Sequence, residues 1–157
     1  MNAIPGKRSS AGLMRGGLGL LSLSALAVGF WALLLPRSFY EDFPFPGRAW
    51  VSTSGPYNGH LIADVGAMYL ALGVLLAAAA VSLGRDLVKV SLAVWLVFAV
   101  PHLVYHVSTL HHFPLLLDRV GNVVSLVFVV LLPLALLFLD GYGRTTGTHT
   151  AGGALGR

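Results

Sequence analysis

At 157 residues, 56% of them hydrophobic and 10% charged, the chain has the length of one compact bundle and falls outside the composition of ordinary soluble domains. Its mean hydropathy is +0.80. The formal charge of +4 comes from Lys and Arg scattered over short loops and tails, with no basic stripe interleaved with aromatics, which excludes nucleic acid as a partner. The absence of cysteine excludes a disulfide framework, a thiolate metal site and thiol catalysis.

In chain order, Lys7, Arg8 and Arg15 precede an apolar run over residues 17–35. The run is too long for a signal-peptide core and ends at Pro36-Arg37 rather than at a small-residue cleavage site, so it predicts a retained transmembrane helix. Gly17, Gly19, Ala25 and Gly29 supply small residues for close helix packing. Residues 36–59 follow as an ordered outer loop rich in aromatics, Pro and Gly: Phe39, Tyr40, Phe43, Pro44, Phe45, Pro46, Gly47 and Trp50, then Gly55-Pro56-Tyr57-Asn58-Gly59. Such a segment does not continue a helix, and its aromatics suit either an interfacial belt or a cap over the bundle.

Further apolar runs over residues 60–83, 88–110 and 121–139 are each about the ~20 residues needed to span hydrocarbon. Ala67, Ala71 and the alanines from Ala77 to Ala80 add small residues to the second, and Trp31 and Trp95 read as packing residues. Pro101 and Pro133 lie inside helical patterns, where membrane helices tolerate them if neighbours satisfy the freed carbonyls. The fold class predicted is all-α, one four-helix transmembrane domain over residues 1–140, followed by a disordered Gly/Thr-rich tail over residues 141–157. Lys7, Arg8, Arg15, Arg85, Lys89, Arg144 and Arg157 fall on one side of the membrane, and Arg37, Arg48 and Arg119 on the other. The positive-inside rule then places both termini in the cytoplasm.

With that topology the polar residues of three helices come to one level. His60 and Asp64 open the second helix, His102 and His106 close the third, and Asp118 and Asn122 open the fourth. Ionisable groups inside spanning helices are costly and usually face a bundle interior. The i,i+4 spacing of His60/Asp64 and of His102/His106 puts each pair on one helix face, as metal sites in helix bundles require. His60, Asp64, His102 and His106 are therefore the candidate metal ligands, with iron, copper or zinc indicated by the mixture of imidazole and carboxylate. His111, His112, Asp118 and Asn122 are candidate second-shell or rim residues, and Tyr69 and Tyr105 are within possible hydrogen-bonding reach. Each residue also has a plainer reading. His111-His112 fits an interfacial loop pair, Asp118 a solvated helix start, and Asp64 with His102 or His106 a structural polar pair.

The stretch FYEDFP…GRAWVS…GPYNGHLIADVGAMYLALGVLL, followed by PHLVYH, resembles small four-helix bacterial integral membrane proteins, DoxX-like in size and topology. The resemblance implies a multi-pass protein of the bacterial plasma membrane and draws attention to His60, Asp64, His102 and His106, but it supplies no substrate. The functional expectation is a membrane metalloprotein, for example an oxidoreductase. The alternatives are b-type haem ligation by His60 with His102 or His106, and a non-enzymatic accessory subunit. Lipid, a membrane protein partner and a second copy of the chain are the partners expected.

Overall fold

A computed structural model describes the backbone of residues 5–148 and the side chains of residues 10–139. Within these residues the chain is all-helical: α1 (Pro5–Leu34), α2 (Pro36–Asp42), α3 (Gly59–Ser82), α4 (Arg85–Ser108) and α5 (Leu116–Thr148), with 3-10 turns at Ser52–Ser54 and Leu110–His112. Four stretches, Ser10–Leu34, Gly59–Ser82, Arg85–Ser108 and Leu116–Leu139, are long and apolar enough to cross a membrane. Exposed Leu23, Val81, Val97 and Phe138 clothe their outer faces, as contact with lipid requires.

The structure departs from the sequence reading at three boundaries. α1 begins well before residue 17, since extending a nucleated helix adds one hydrogen bond per residue fixed. Residues 36–42, read as loop, form α2. Pro36 sits in its first turn, where a missing N–H costs nothing. One turn apart, Arg37 Nε donates to Glu41 Oε1 at 2.6 Å and Ser38 Oγ to Asp42 Oδ2 at 3.0 Å. α5 runs to Thr148 and so takes in residues 141–148 of the segment read as a disordered tail. Each of its glycines costs about 1 kcal/mol in a helix, a cost offset by continuation from a long nucleated helix. Residues 149–157 lie outside the described residues.

α1 packs chiefly on α3, and α4 on α5. The α1–α3 contact is backbone on backbone. A Cβ added at Gly29 would lie 2.8 Å from Leu70 N, and one at Gly66 would lie 2.7 Å from Leu33 N. Farther along, buried Ser22 Oγ donates to Gly73 O at 2.8 Å. Arg15 then closes the pair, its Nε donating to Ala80 O at 3.0 Å among the free carbonyls ending α3. The small residues in use differ in part from those the sequence suggests. Gly17 meets Leu136 of α5, Gly19 has nothing near it, and Ala67 and Ala71 are exposed.

The α4–α5 pair solves a proline problem. Pro133 has no N–H to offer Val129 O one turn back, and buried Trp95 donates its indole Nε1–H to that carbonyl at 2.8 Å. Trp95→Phe should therefore cost roughly 1–3 kcal/mol, the penalty of a buried unsatisfied carbonyl. A detergent-unfolding titration checks this. Trp31→Phe should cost less, because that indole donates only to partly buried Ser38 Oγ at 3.2 Å. Equal losses would mean that Val129 O has another donor.

Leu18, Leu21, Leu76, Leu92, Trp95 and Leu136 fill the half of the bundle away from the loop. At the loop end a smaller cluster of Ala32, Phe39 and Ile62 packs with Trp31, Tyr40 and Phe43. The filled core does not extend to the loop end, where the cavity described next lies.

Candidate functional site

The loop end encloses a cavity of about 880 Å³ bounded by all five helices and by the loop between α2 and α3. That volume is in the range of small-molecule sites. Val28, Ile62, Val65 and Leu126 give it apolar walls, His102, His106 and Asn122 a polar patch, and Phe39, Phe43 and Trp50 an aromatic cover. None of its lining residues is Asp, Glu, Lys or Arg. Leu61, Tyr105 and Ser125 line the space yet are exposed at the helix surface.

The cover is a chain of ring contacts. Trp31 meets Phe39 edge-on at 5.9 Å, Phe39 meets Phe43 at 4.9 Å, Phe43 meets Trp50 at 6.2 Å, and Trp50 meets buried Phe113 at 6.2 Å. Phe39, Phe43 and Trp50 take the cap role over the cavity, while Phe45 and Tyr57 remain exposed, as a belt would require. The anchor of the cap is Asp118, only 5% exposed in the first turn of α5. The carboxylate accepts from Trp50 Nε1 at 2.9 Å and from Arg48 Nη1 at 3.3 Å. Ala49, between these two donors, holds φ at 55°, in the left-handed region that favours glycine. That turn presents neighbouring donors to one carboxylate.

The residues singled out in the sequence divide into three groups. His102 and His106 line the cavity and touch, their ring centroids 4.5 Å apart, and Phe98 stacks on His102 at 5.1 Å. Asn122, 3% exposed, lies beside His106 across the α4–α5 contact. Asn122 Oδ1 and His106 Nδ1 are both buried with no other partner, and the two side chains lie within hydrogen-bonding reach of each other. The second group is His60 and Asp64, which face away from the cavity. They pair with each other at 3.3 Å, with side chains 88% and 63% exposed. The third group is at the rim. His111 and His112 are exposed in a 3-10 turn, ring against ring at 4.2 Å, while Asp118 holds the cap rather than orienting an imidazole.

Among the described residues no three His, Cys, Asp or Glu side chains come together to hold a metal ion. His60, Asp64, His102 and His106 thus do not form one centre. The reason is rotation about α3. Its buried face carries Ile62 and Gly66, and Asp64, two residues from each, points about 200° away. The haem pairing meets the same obstacle, since His60 does not line the space that His102 and His106 share. Asp118 is likewise not a solvated helix start.

Trp50, Arg48 and Ser125 are the site residues that the sequence reading did not assign. Their partners explain why: Trp50 and Asp118 are 68 residues apart, and Arg48 and Asp118 are 70 apart. Comparison with family models, with curated proteins and with solved structures gives no match, so any functional reading rests on the geometry of this chain.

Proposed function

We propose that this is a multi-pass membrane protein whose capped cavity binds a small lipophilic molecule with a polar head. The observation that carries the reading is the cavity itself, whose largely apolar lining carries a polar patch of His102, His106 and Asn122 and no charged residue. A ligand with a polar head can hydrogen-bond to that patch while its apolar part lies along the walls. Leu61, Tyr105 and Ser125 both line the space and are exposed on the helix surface, which suits entry from the bilayer. The charge distribution supports an orientation with both termini in the cytoplasm and the cap on the outer face.

A neutral diazirine-bearing amphiphile tests the reading on full-length protein in lipid nanodiscs. Labelling should saturate near one probe per chain and map to residues 98–106 and 122–126. His106→Ala should weaken it about tenfold, the equivalent of one buried hydrogen bond. Unsaturable labelling spread over lipid-facing positions such as Val97 and Phe138 would refute the reading.

A second proposal keeps a metal, because the touching imidazoles of His102 and His106 favour it. Two imidazoles with Asn122 leave room for a ligand-supplied donor on zinc, copper or iron. It requires one equivalent of metal in protein purified without chelator or histidine tag, lost on His102→Ala.

A further inference from the structure

His60 and Asp64 have no part in the cavity, and their place on α3 is unusual for a membrane span. α3 has 24 residues, about 36 Å of helix against roughly 30 Å of hydrocarbon. Asp64 lies about 7.5 Å along it from Gly59, so a centred span carries that carboxylate past the hydrocarbon boundary. Both side chains point away from the bundle, 88% and 63% exposed, and their contact at 3.3 Å engages only His60 Nε2 and Asp64 Oδ2. Ionisable groups within spans face a protein interior or an aqueous cavity rather than lipid. This face therefore calls for a protein neighbour that one chain does not supply.

We propose that the neighbour is a second copy of this chain, packed α3 against α3 about a two-fold axis along the membrane normal. Copies of one chain share one charge bias and insert in one orientation. In a closed, isologous pair the two α3 helices then run parallel, with the two His–Asp pairs at the same depth. The patch is complementary in charge to itself: His60 of one copy meets Asp64 of the partner subunit, and the reverse, through Nδ1 and Oδ1. Those are the atoms that the contact within each helix leaves open.

The rest of the face permits close approach. Asp64, Ala67, Ala71, Val74 and Ala78 form one exposed stripe at helical spacing. Ala67 and Ala71 have the four-residue spacing at which small residues let membrane helices come together. The other spans give lipid bulkier side chains, among them Leu23 and Phe30 on α1, Val97 on α4 and Phe138 on α5.

Because the chain has no cysteine, introduced thiols report contacts without background. In full-length protein in liposomes, oxidation should cross-link most of an Ala67→Cys or Ala71→Cys population into dimers and leave Val97→Cys and Phe138→Cys monomeric. Single-molecule photobleaching should give two-step spots, with His60→Ala and Asp64→Ala each weakening the dimer at least tenfold. The reciprocal pairing has its own signature. His60→Asp leaves only carboxylates on the face and Asp64→His only imidazoles. With chelator present to exclude metal bridges, each should self-associate at least tenfold more weakly, and an equal mixture of the two should restore dimers. Recovery in the mixture also shows that both variants fold. Equal cross-linking at every cysteine position, single-step spots, Asp64→Ala dimerising as tightly as the unaltered protein, or a mixture no tighter than either variant would each overturn the proposal. Saturable labelling by the diazirine probe is a separate readout, so loss of the dimer leaves the cavity reading standing.

Discussion

Gly66→Val is expected to prevent assembly of the bundle, and Gly29→Val to do the same, whereas Gly19→Ala should be nearly silent. Between membrane helices lipid removes the hydrophobic drive, and association depends on close van der Waals packing over small residues. A Cβ at Gly66 would lie 2.7 Å from Leu33 N and 3.0 Å from Gly29 O, and one at Gly29 would lie 2.9 Å from Gly66 O. These neighbours are backbone atoms of the opposing helix, so no side-chain rotation relieves the clash. The helices must separate, which loosens the Ser22–Gly73 hydrogen bond and the Arg15 contact with Ala80 farther down the same seam. Overpacking a well-fitted core costs about 1–3 kcal/mol. That range is the expectation for Gly66→Ala in a detergent-unfolding titration, with valine well beyond it and lost to aggregation on purification. Gly19 has open space around its missing Cβ, so alanine there changes only helix propensity. If Gly66→Ala unfolds at the same detergent fraction as the unaltered protein, the α1–α3 seam does not carry the bundle.

This seam also shows what a sequence can and cannot convey. The four spans are legible because length and hydropathy do not depend on partners. The spacing of His102 and His106 is legible for the same reason, and the structure puts both on the cavity wall. His60 and Asp64 have the same spacing and lie outside the cavity, since spacing fixes that two residues share a face but not which way the face turns. That rotation is set by contacts with α1, at Gly66 and Gly73, whereas Ala67 and Ala71 are exposed. A signal was present: Ile62, Gly66, Gly73 and Leu76 recur at helical spacing as one stripe with two glycines in it. The cap was half legible. Aromatics in a loop permit a belt or a cover, and the bonds that hold Trp50 over the cavity reach Asp118, 68 residues away.

Asp118→Ala should release that cover, and of all single changes it should do most to empty the cavity while leaving the four spans in place. The carboxylate is the common acceptor of the Trp50 indole at 2.9 Å and the Arg48 guanidinium at 3.3 Å. Arg48 is 24% exposed and the Asp118 side chain 7%, so water can compensate the cation only in part. Removing one partner of a well-buried ion pair costs about 3–5 kcal/mol, and the partial exposure of Arg48 puts the expected loss nearer the lower end. The loss is local because the other links of the cover to the bundle, Trp50 against Phe113 and Trp31 against Phe39 and Phe43, are ring contacts that do not involve α3 or α4. Amide exchange read by mass spectrometry should rise across residues 43–58 and stay unchanged in α3 and α4. Probe affinity for the cavity should fall by more than tenfold, since each ~1.4 kcal/mol spent on closing the cover is a factor of ten in binding. Asp118→Asn separates the two contacts. Its amide oxygen still accepts from Trp50 Nε1, but the charge facing Arg48 is gone, so exchange and affinity should fall between those of the unaltered protein and Asp118→Ala. Unchanged exchange over residues 43–58 in Asp118→Ala would mean that ring packing alone holds the cover shut.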